Sequence, residues 1–150
     1  MKNISVLMGI IGLALAIVFA SSIGHRIIES AINEFEQGKP DGAIEETLAS
    51  LSKKVNGQLP LMIDPETRLD TTICVGKQMH YKYTMVNFDK NQFSQNTFQI
   101  EMKAMLKRNQ CGDEKVLELL EKGVEYFYMY FDKNGNNIAT IKISKRVCGE

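Results

Sequence analysis

The sequence predicts an α+β fold: an N-terminal transmembrane or signal helix, then a four-stranded antiparallel sheet with helices on one face. Three observations lead there. Residues 4–23 are apolar apart from glycines and Ser5, Ser21 and Ser22, and no residue from Asn3 to Gly24 carries a formal charge. Two later stretches alternate with a period of two, the mark of half-buried strands. Ahead of each, apolar residues recur at helical spacing. The order is helix–strand–strand, twice, and doubling that unit gives four strands with the helices on one face.

Residues 4–23 as a helix, at ~1.5 Å per residue, would reach ~30 Å, the thickness of a bilayer's hydrocarbon core. Two readings compete for residues 1–25. One is an uncleaved signal anchor whose span meets membrane lipid. The other is a signal peptide, with Lys2 as its basic start, residues 6–20 as its apolar stretch and Val18-Phe19-Ala20 as the cleavage site. A buried soluble helix rarely lacks a polar face for so long. Lys2 favours a cytoplasmic N-terminus, while His25 and Arg26 oppose it weakly. A short tail before one apolar segment usually exports the chain beyond it, so residues 26–150 are read as one extracytoplasmic domain. Gly12, Ala16, Ala20 and Gly24 recur every fourth residue and would line one helix face for close packing. Export segments are also simply rich in Gly and Ala. No cysteine lies near Ala20, so a lipid anchor is not indicated.

Each element has a local cause. Residues 26–37 form an amphipathic helix with Ile28, Ile32 and Phe35 on one face, interrupted at Gly38-Lys39-Pro40. A second helix covers 41–55, with Asp41 as its N-cap and Ile44, Leu48, Leu51 and Val55 as its stripe. Pro60 and Pro65 hold an extended connection. Strands come next at 68–75 and 79–87, joined at Gly76-Lys77; Met79, Tyr81, Tyr83 and Met85 share one face of the second. A helix spans 94–109 with Phe98, Met102 and Met105 at helical spacing. A shorter one spans 113–122 and stops at Gly123. In the last hairpin, Val124, Tyr126, Tyr128 and Tyr130 alternate with Glu125, Phe127, Met129 and Phe131. Asn134-Gly135 marks a tight turn, and 138–144 returns as a strand.

Charge excludes some functions. The chain is neutral overall, with 18 basic and 18 acidic residues interspersed. This leaves no basic footprint for nucleic acid. The cysteines are Cys74, Cys111 and Cys148, with no C-x-x-C and no zinc spacing. An exported domain would hold one disulfide and one leftover thiol. Cys111 follows the central helix and Cys148 the last strand, so these two are the expected pair. Cys74 falls in an apolar strand and reads as a small buried residue.

No catalytic set stands out. His25 sits at the membrane boundary and His80 on a strand beside Lys82. No nucleophile elbow, zinc-protease motif, phosphate loop or dinucleotide fingerprint occurs. Asp132-x-Asn134-Gly135 opens like a calcium loop, but Ile143 stands where the closing glutamate belongs. No cofactor is implied. Two groups remain as a candidate interaction surface. One is the polar cluster Asp64, Arg68 and Asp70, for which a capped turn with an Arg–carboxylate network is the favoured reading over a binding edge. The other is Tyr81, Tyr83, Tyr126, Tyr128 and Tyr130, all the tyrosines of the chain, on two strands. They would form either an adhesive face or aromatic packing in the core. Phe127, Met129 and Phe131 compete with them for burial.

The run Leu59-Pro60-Leu61-Met62-Ile63-Asp64, then Thr67-Arg68-Leu69-Asp70, Tyr81-x-Tyr83, Cys111, Tyr126-x-Tyr128 and Cys148, resembles a group of uncharacterised small bacterial proteins, exported or membrane-anchored. The resemblance implies a bacterial origin and favours the Cys111–Cys148 pair. It supplies no activity. Residues 1–25 and Cys74 stand outside it. The layout also resembles ferredoxin-like domains of membrane platforms in pilus and secretion machines, at fold level only. The expected role is therefore non-enzymatic: an inner-membrane protein with a periplasmic domain that contacts an envelope protein or itself. The alternatives are a binding or inhibitor protein released after cleavage near Ala20, and an enzyme built around Asp64, Arg68, Asp70 or His80.

Overall fold

Helix α1 (Gly42–Asn56) turns Ile44 and Leu48 inward, leaving them 4% and 2% exposed. The computed structural model describes residues 42–92 and 94–149. The apolar run 4–23, its small residues Gly12, Ala16, Ala20 and Gly24, the helix expected at 26–37 and the Asp41 cap all lie outside the described residues. Lys53 and Lys54 close α1, where positive charge complements the helix dipole. Its last residue, Asn56, turns its amide to the edge of the sheet. The Thr72 N–H donates to Asn56 Oδ1 and Asn56 Nδ2 donates to the Thr72 carbonyl, both at 2.7 Å. One side chain thus serves as a neighbouring strand would. Ser52 and Thr72 hydroxyls, 2.8 Å apart, complete the contact.

Strands β1 (Leu61–Met62), β2 (Thr67–Val75) and β3 (Gln78–Met85) form an antiparallel meander. Gly76 makes the tight β2–β3 turn at φ 57, a left-handed backbone that suits glycine. Helix α2 (Gln95–Cys111) starts at Ser94, whose Oγ accepts from the Thr97 N–H. Helix α3 (Glu114–Glu121) starts at Asp113, whose Oδ1 accepts from the N–H groups of Lys115 and Val116. Such caps satisfy amides that the helix leaves unpaired. Gly123, at φ 85, then releases the chain into β4 (Glu125–Asp132). Strand β5 (Asn137–Ile143) and a short helix α4 (Lys145–Gly149) end the described chain, and a single 3-10 turn (Lys90–Gln92) lies between β3 and α2.

The α+β class and the two helix–strand–strand units are observed, and three features of the expected sheet are corrected. The sheet has five strands, because Leu61 and Met62 pair with Leu69 and Arg68 at one edge. Two residues are too short to show a period. The sheet is mixed, because β3 and β4 run parallel while the other neighbours are antiparallel. The crossover through α2 and α3 returns the chain to the end where β3 began, which makes the next strand parallel. The order is β1-β2-β3-β4-β5, each hairpin beside the other, so the strands do not interleave as in a ferredoxin-like domain.

The helices cover one face. Ile44 and Leu48 from α1, Phe98, Met102 and Leu106 from α2, and Val116 and Leu120 from α3 join Leu69, Met79, Met85, Ile141 and Ile143 of the sheet in a single core. The Cys111 and Cys148 sulfurs lie at disulfide distance with their Cα atoms 5.5 Å apart, which sets the end of α2 against α4.

Candidate interaction face

The pleat of β4 sorts its residues. Tyr126, Tyr128 and Tyr130 point under the helices and are 6%, 2% and 1% exposed; Tyr83 of β3 is 3% exposed. Tyr81 is partly buried against the same core. The rings stack across the parallel pair, Tyr81 on Tyr128 at 5.3 Å and Tyr83 on Tyr130 at 5.2 Å, and Phe98 of α2 meets Tyr130 edge-on. Burial raises the pKa of all five tyrosines, so the phenols stay neutral. The adhesive tyrosine surface is therefore corrected: these residues are core. The reason lies in their neighbours. Across the sheet, the tyrosine phase also carries Leu69, Met79, Met85, Ile141 and Ile143, whereas the other phase carries Arg68, Asp70, His80, Lys82, Thr84 and Lys142.

That second phase is the face that the described helices leave open. Phe127, Met129 and Phe131 run along it on β4, between β3 and β5, half-buried. His80 stacks on Phe127 at 4.5 Å with an interplanar angle of 8°. The Lys82 ammonium lies 4.9 Å from the centre of the Phe131 ring, and that of Lys142 lies 5.5 Å from the centre of Phe127. Cations over aromatic faces are attracted by the ring quadrupole, and lysine stems shield part of the rings. Towards one edge, Ile73 and Val75 of β2 remain 49% and 59% exposed.

Arg68 and Asp70 meet on this face, beside the bulge between Leu69 and Thr71. Arg68 Nε donates to Asp70 Oδ1, and the Thr84 hydroxyl donates to Asp70 Oδ2. Glu125 is likewise engaged: Lys142 Nζ lies 2.6 Å from its Oε1, and Gln78 Nε2 donates to its Oε2 at 3.2 Å. Asp64 does not join them. It is 9% exposed in the β1–β2 turn, where its Oδ1 accepts the N–H groups of Glu66 and Thr67 at 2.7 and 2.8 Å. Its place in the expected surface is corrected: it caps a turn.

Asp132, in the sequence that opens like a calcium loop, spends both oxygens on the protein. Its Oδ1 accepts the N–H groups of Asn134 and Asn136, and its Oδ2 accepts those of Lys90 and the Asn136 amide. Burial works to raise this carboxyl, but the hydrogen bonds of Asn136, Lys90 and Asn134 outweigh it and lower its pKa to about 2. Cys74, half-buried on β2, donates to the Gly76 carbonyl, and burial with Glu45 nearby pushes its thiol up, away from a reactive thiolate. Among the described residues no group of three or more His, Cys, Asp and Glu could hold a metal ion.

The open row of Phe127, Met129 and Phe131 was missed as a surface because β4 is apolar on both of its faces. The signal available was cross-strand: once β3 and β5 flank β4, His80, Lys82 and Lys142 fall on the phenylalanine side.

Fold and face together define a class: a helix-covered mixed sheet whose other side, among the described residues, is open and set with aromatic rings and cations. No protein-family model matches the chain, and no curated protein matches its sequence. Solved structures do share its fold. A Pseudomonas aeruginosa protein assigned as secreted aligns with TM-score 0.60 at 17% identity, over 74% of this chain and 99% of that one. EpsS, a Vibrio vulnificus type II secretion pilotin, aligns with TM-score 0.59 at 14% identity, over 72% and 94%. AspS, the type II secretion pilotin of Vibrio cholerae, aligns with TM-score 0.53 at 14% identity over the same shares. At such identities the likeness establishes the fold alone. Among the described residues no helix is long and apolar enough to cross a membrane.

Proposed function

We propose that this chain is a non-enzymatic, extracytoplasmic domain that makes protein–protein contacts in the assembly of a bacterial envelope machine. It is tethered to the inner membrane through residues 4–23. The observation that carries the reading is the open sheet face: among the described residues, no helix covers Phe127, Met129 and Phe131 on β4, an inner strand of the five-stranded sheet. An apolar row framed by polar groups on a rigid sheet is the anatomy of a protein contact. The shared fold of two secretion pilotins and a protein assigned as secreted supports the setting.

A photo-crosslinking residue at Met129, introduced into the full chain in its native membranes, should give a discrete adduct with an envelope protein or a second copy. The same group at Lys103, exposed on α2, is the control. An adduct absent at Met129, or no different from that at Lys103, overturns the proposal. Val18-Phe19-Ala20 favours a second reading, a released periplasmic binding protein. An intact mass that retains Met1 removes it.

A further inference from the structure

We infer that the open face docks an acidic, amphipathic segment of a partner protein, with Lys82 as the centre of its charge selectivity; the inference rests on the reading of that face as a contact surface. The face carries unspent positive charge. Both carboxylates on the face are already engaged: Asp70 by Arg68 and Thr84, Glu125 by Lys142 and Gln78. Lys82 is different. Among the described residues its ammonium meets no carboxylate and rests only on the Phe131 ring. It stands on β3, the central strand, where its cross-strand neighbours are Thr71 and Met129. His80, two residues along the same face, adds a flat ring stacked on Phe127.

The layout fixes the chemistry of what fits. From β5 to β2, Lys142, Lys82 and Arg68 step diagonally across the face, level in turn with Phe127, Met129 and Phe131 of β4. The row Phe127–Met129–Phe131 crosses beneath them and spans about 14 Å at ~3.4 Å per residue. A complementary segment sets apolar side chains on that row and carboxylates against Lys82. A basic segment would bring like charge to Lys82, the one ammonium on this face that meets no carboxylate among the described residues. A second copy of this face would do the same, Lys82 meeting its own kind near the centre of a two-fold contact. Rings and cations together could also meet an anionic membrane surface, and that source is separated by the test.

The test uses the full chain in mild detergent and three probes: two synthetic peptides with identical leucine positions, one filled with glutamate and one with lysine, and vesicles of phosphatidylethanolamine with phosphatidylglycerol. Amide-resolved NMR titration should show the glutamate peptide perturbing β3, β4 and β5, with the lysine peptide inert. Lys82→Glu should weaken binding by about tenfold or more, as expected when an attractive charge at an interface becomes repulsive. Lys82→Gln should weaken it less, and both variants should melt with the parent chain. Equal affinity for the two peptides, perturbation confined to other elements, binding to vesicles alone, or a dimer that buries this face would each overturn the inference. If Met129 crosslinks a protein in native membranes while the peptides are not distinguished by charge, the contact surface stands and the acidic partner falls. If both experiments fail, the two fall together.

Discussion

Asp132 shows how one side chain can organise two loops. It is fully buried at the end of β4, and its carboxylate gathers N–H groups from its own hairpin and from Lys90 in the loop after β3. A carboxylate with several amide donors is favoured in its charged form, hence a pKa of about 2 against ~3.9 for a free aspartate. The folded value is the lower one, so the unfolded chain binds the proton more readily. The stabilisation is present above the unfolded value, and falls away as pH drops from about 4 through about 2. Thermal melts across that window should show the parent chain losing stability steeply. Asp132→Asn should start with a lower Tm at neutral pH and show a flatter decline in acid, because it has no proton to take up there. Parallel pH profiles for the two proteins would contradict the assignment. The sequence marked this position through Asp-x-Asn-Gly, and the hairpin reading is what formed. The donation from Lys90 was invisible in it, since the two residues are 42 apart in the chain.

At the scale of elements, those with strong local signals were legible. Ser94 and Asp113 start helices with the capping bonds their types suggest, Gly123 ends one, and Asn134-Gly135 turns a hairpin. Strand β1 and helix α4 were missed, with two and five residues, because neither is long enough to show a period. Helix α4 makes few contacts of its own, and the pairing of Cys148 with Cys111 across 37 residues ties it to α2. In the chain-entropy picture, closing such a loop stabilises by roughly 3–4 kcal/mol. Alkylation of the denatured, unreduced chain from its native compartment should therefore modify only Cys74, and reduction should release two further thiols. Cys148→Ser should lower unfolding stability by about that amount. Three free thiols before reduction would show that the bond does not form.

At the scale of the molecule, the sequence left two questions that no single element could answer. One was how the hairpins join: each is antiparallel by itself, but the helical crossover between them decides that β3 and β4 run parallel. The other was which side of the sheet goes inward. Strand β4 taken alone favours burial of Phe127, Met129 and Phe131, which are more apolar than the tyrosines. The packed sheet reverses this, because burial is decided by all the residues that share a phase, and the phenylalanine phase includes Lys82, His80 and Lys142. The tyrosines accept the core with one orphan group: among the described residues the buried Tyr130 hydroxyl has no hydrogen-bond partner. Truncation on the two sides should therefore differ sharply. Tyr128→Ala removes a ring that is 2% exposed beneath the helices and should destabilise by about 3–5 kcal/mol, the range for large aromatic deletions in cores. Phe127→Ala removes a half-buried ring whose neighbours are His80 and Lys142, and should cost about 1 kcal/mol, the scale of a cross-strand pair. Urea unfolding at neutral pH measures both. If Phe127→Ala proved the more damaging, the helices would have to lie on the other side of the sheet. The open face, and the docking argued from it, would then be lost.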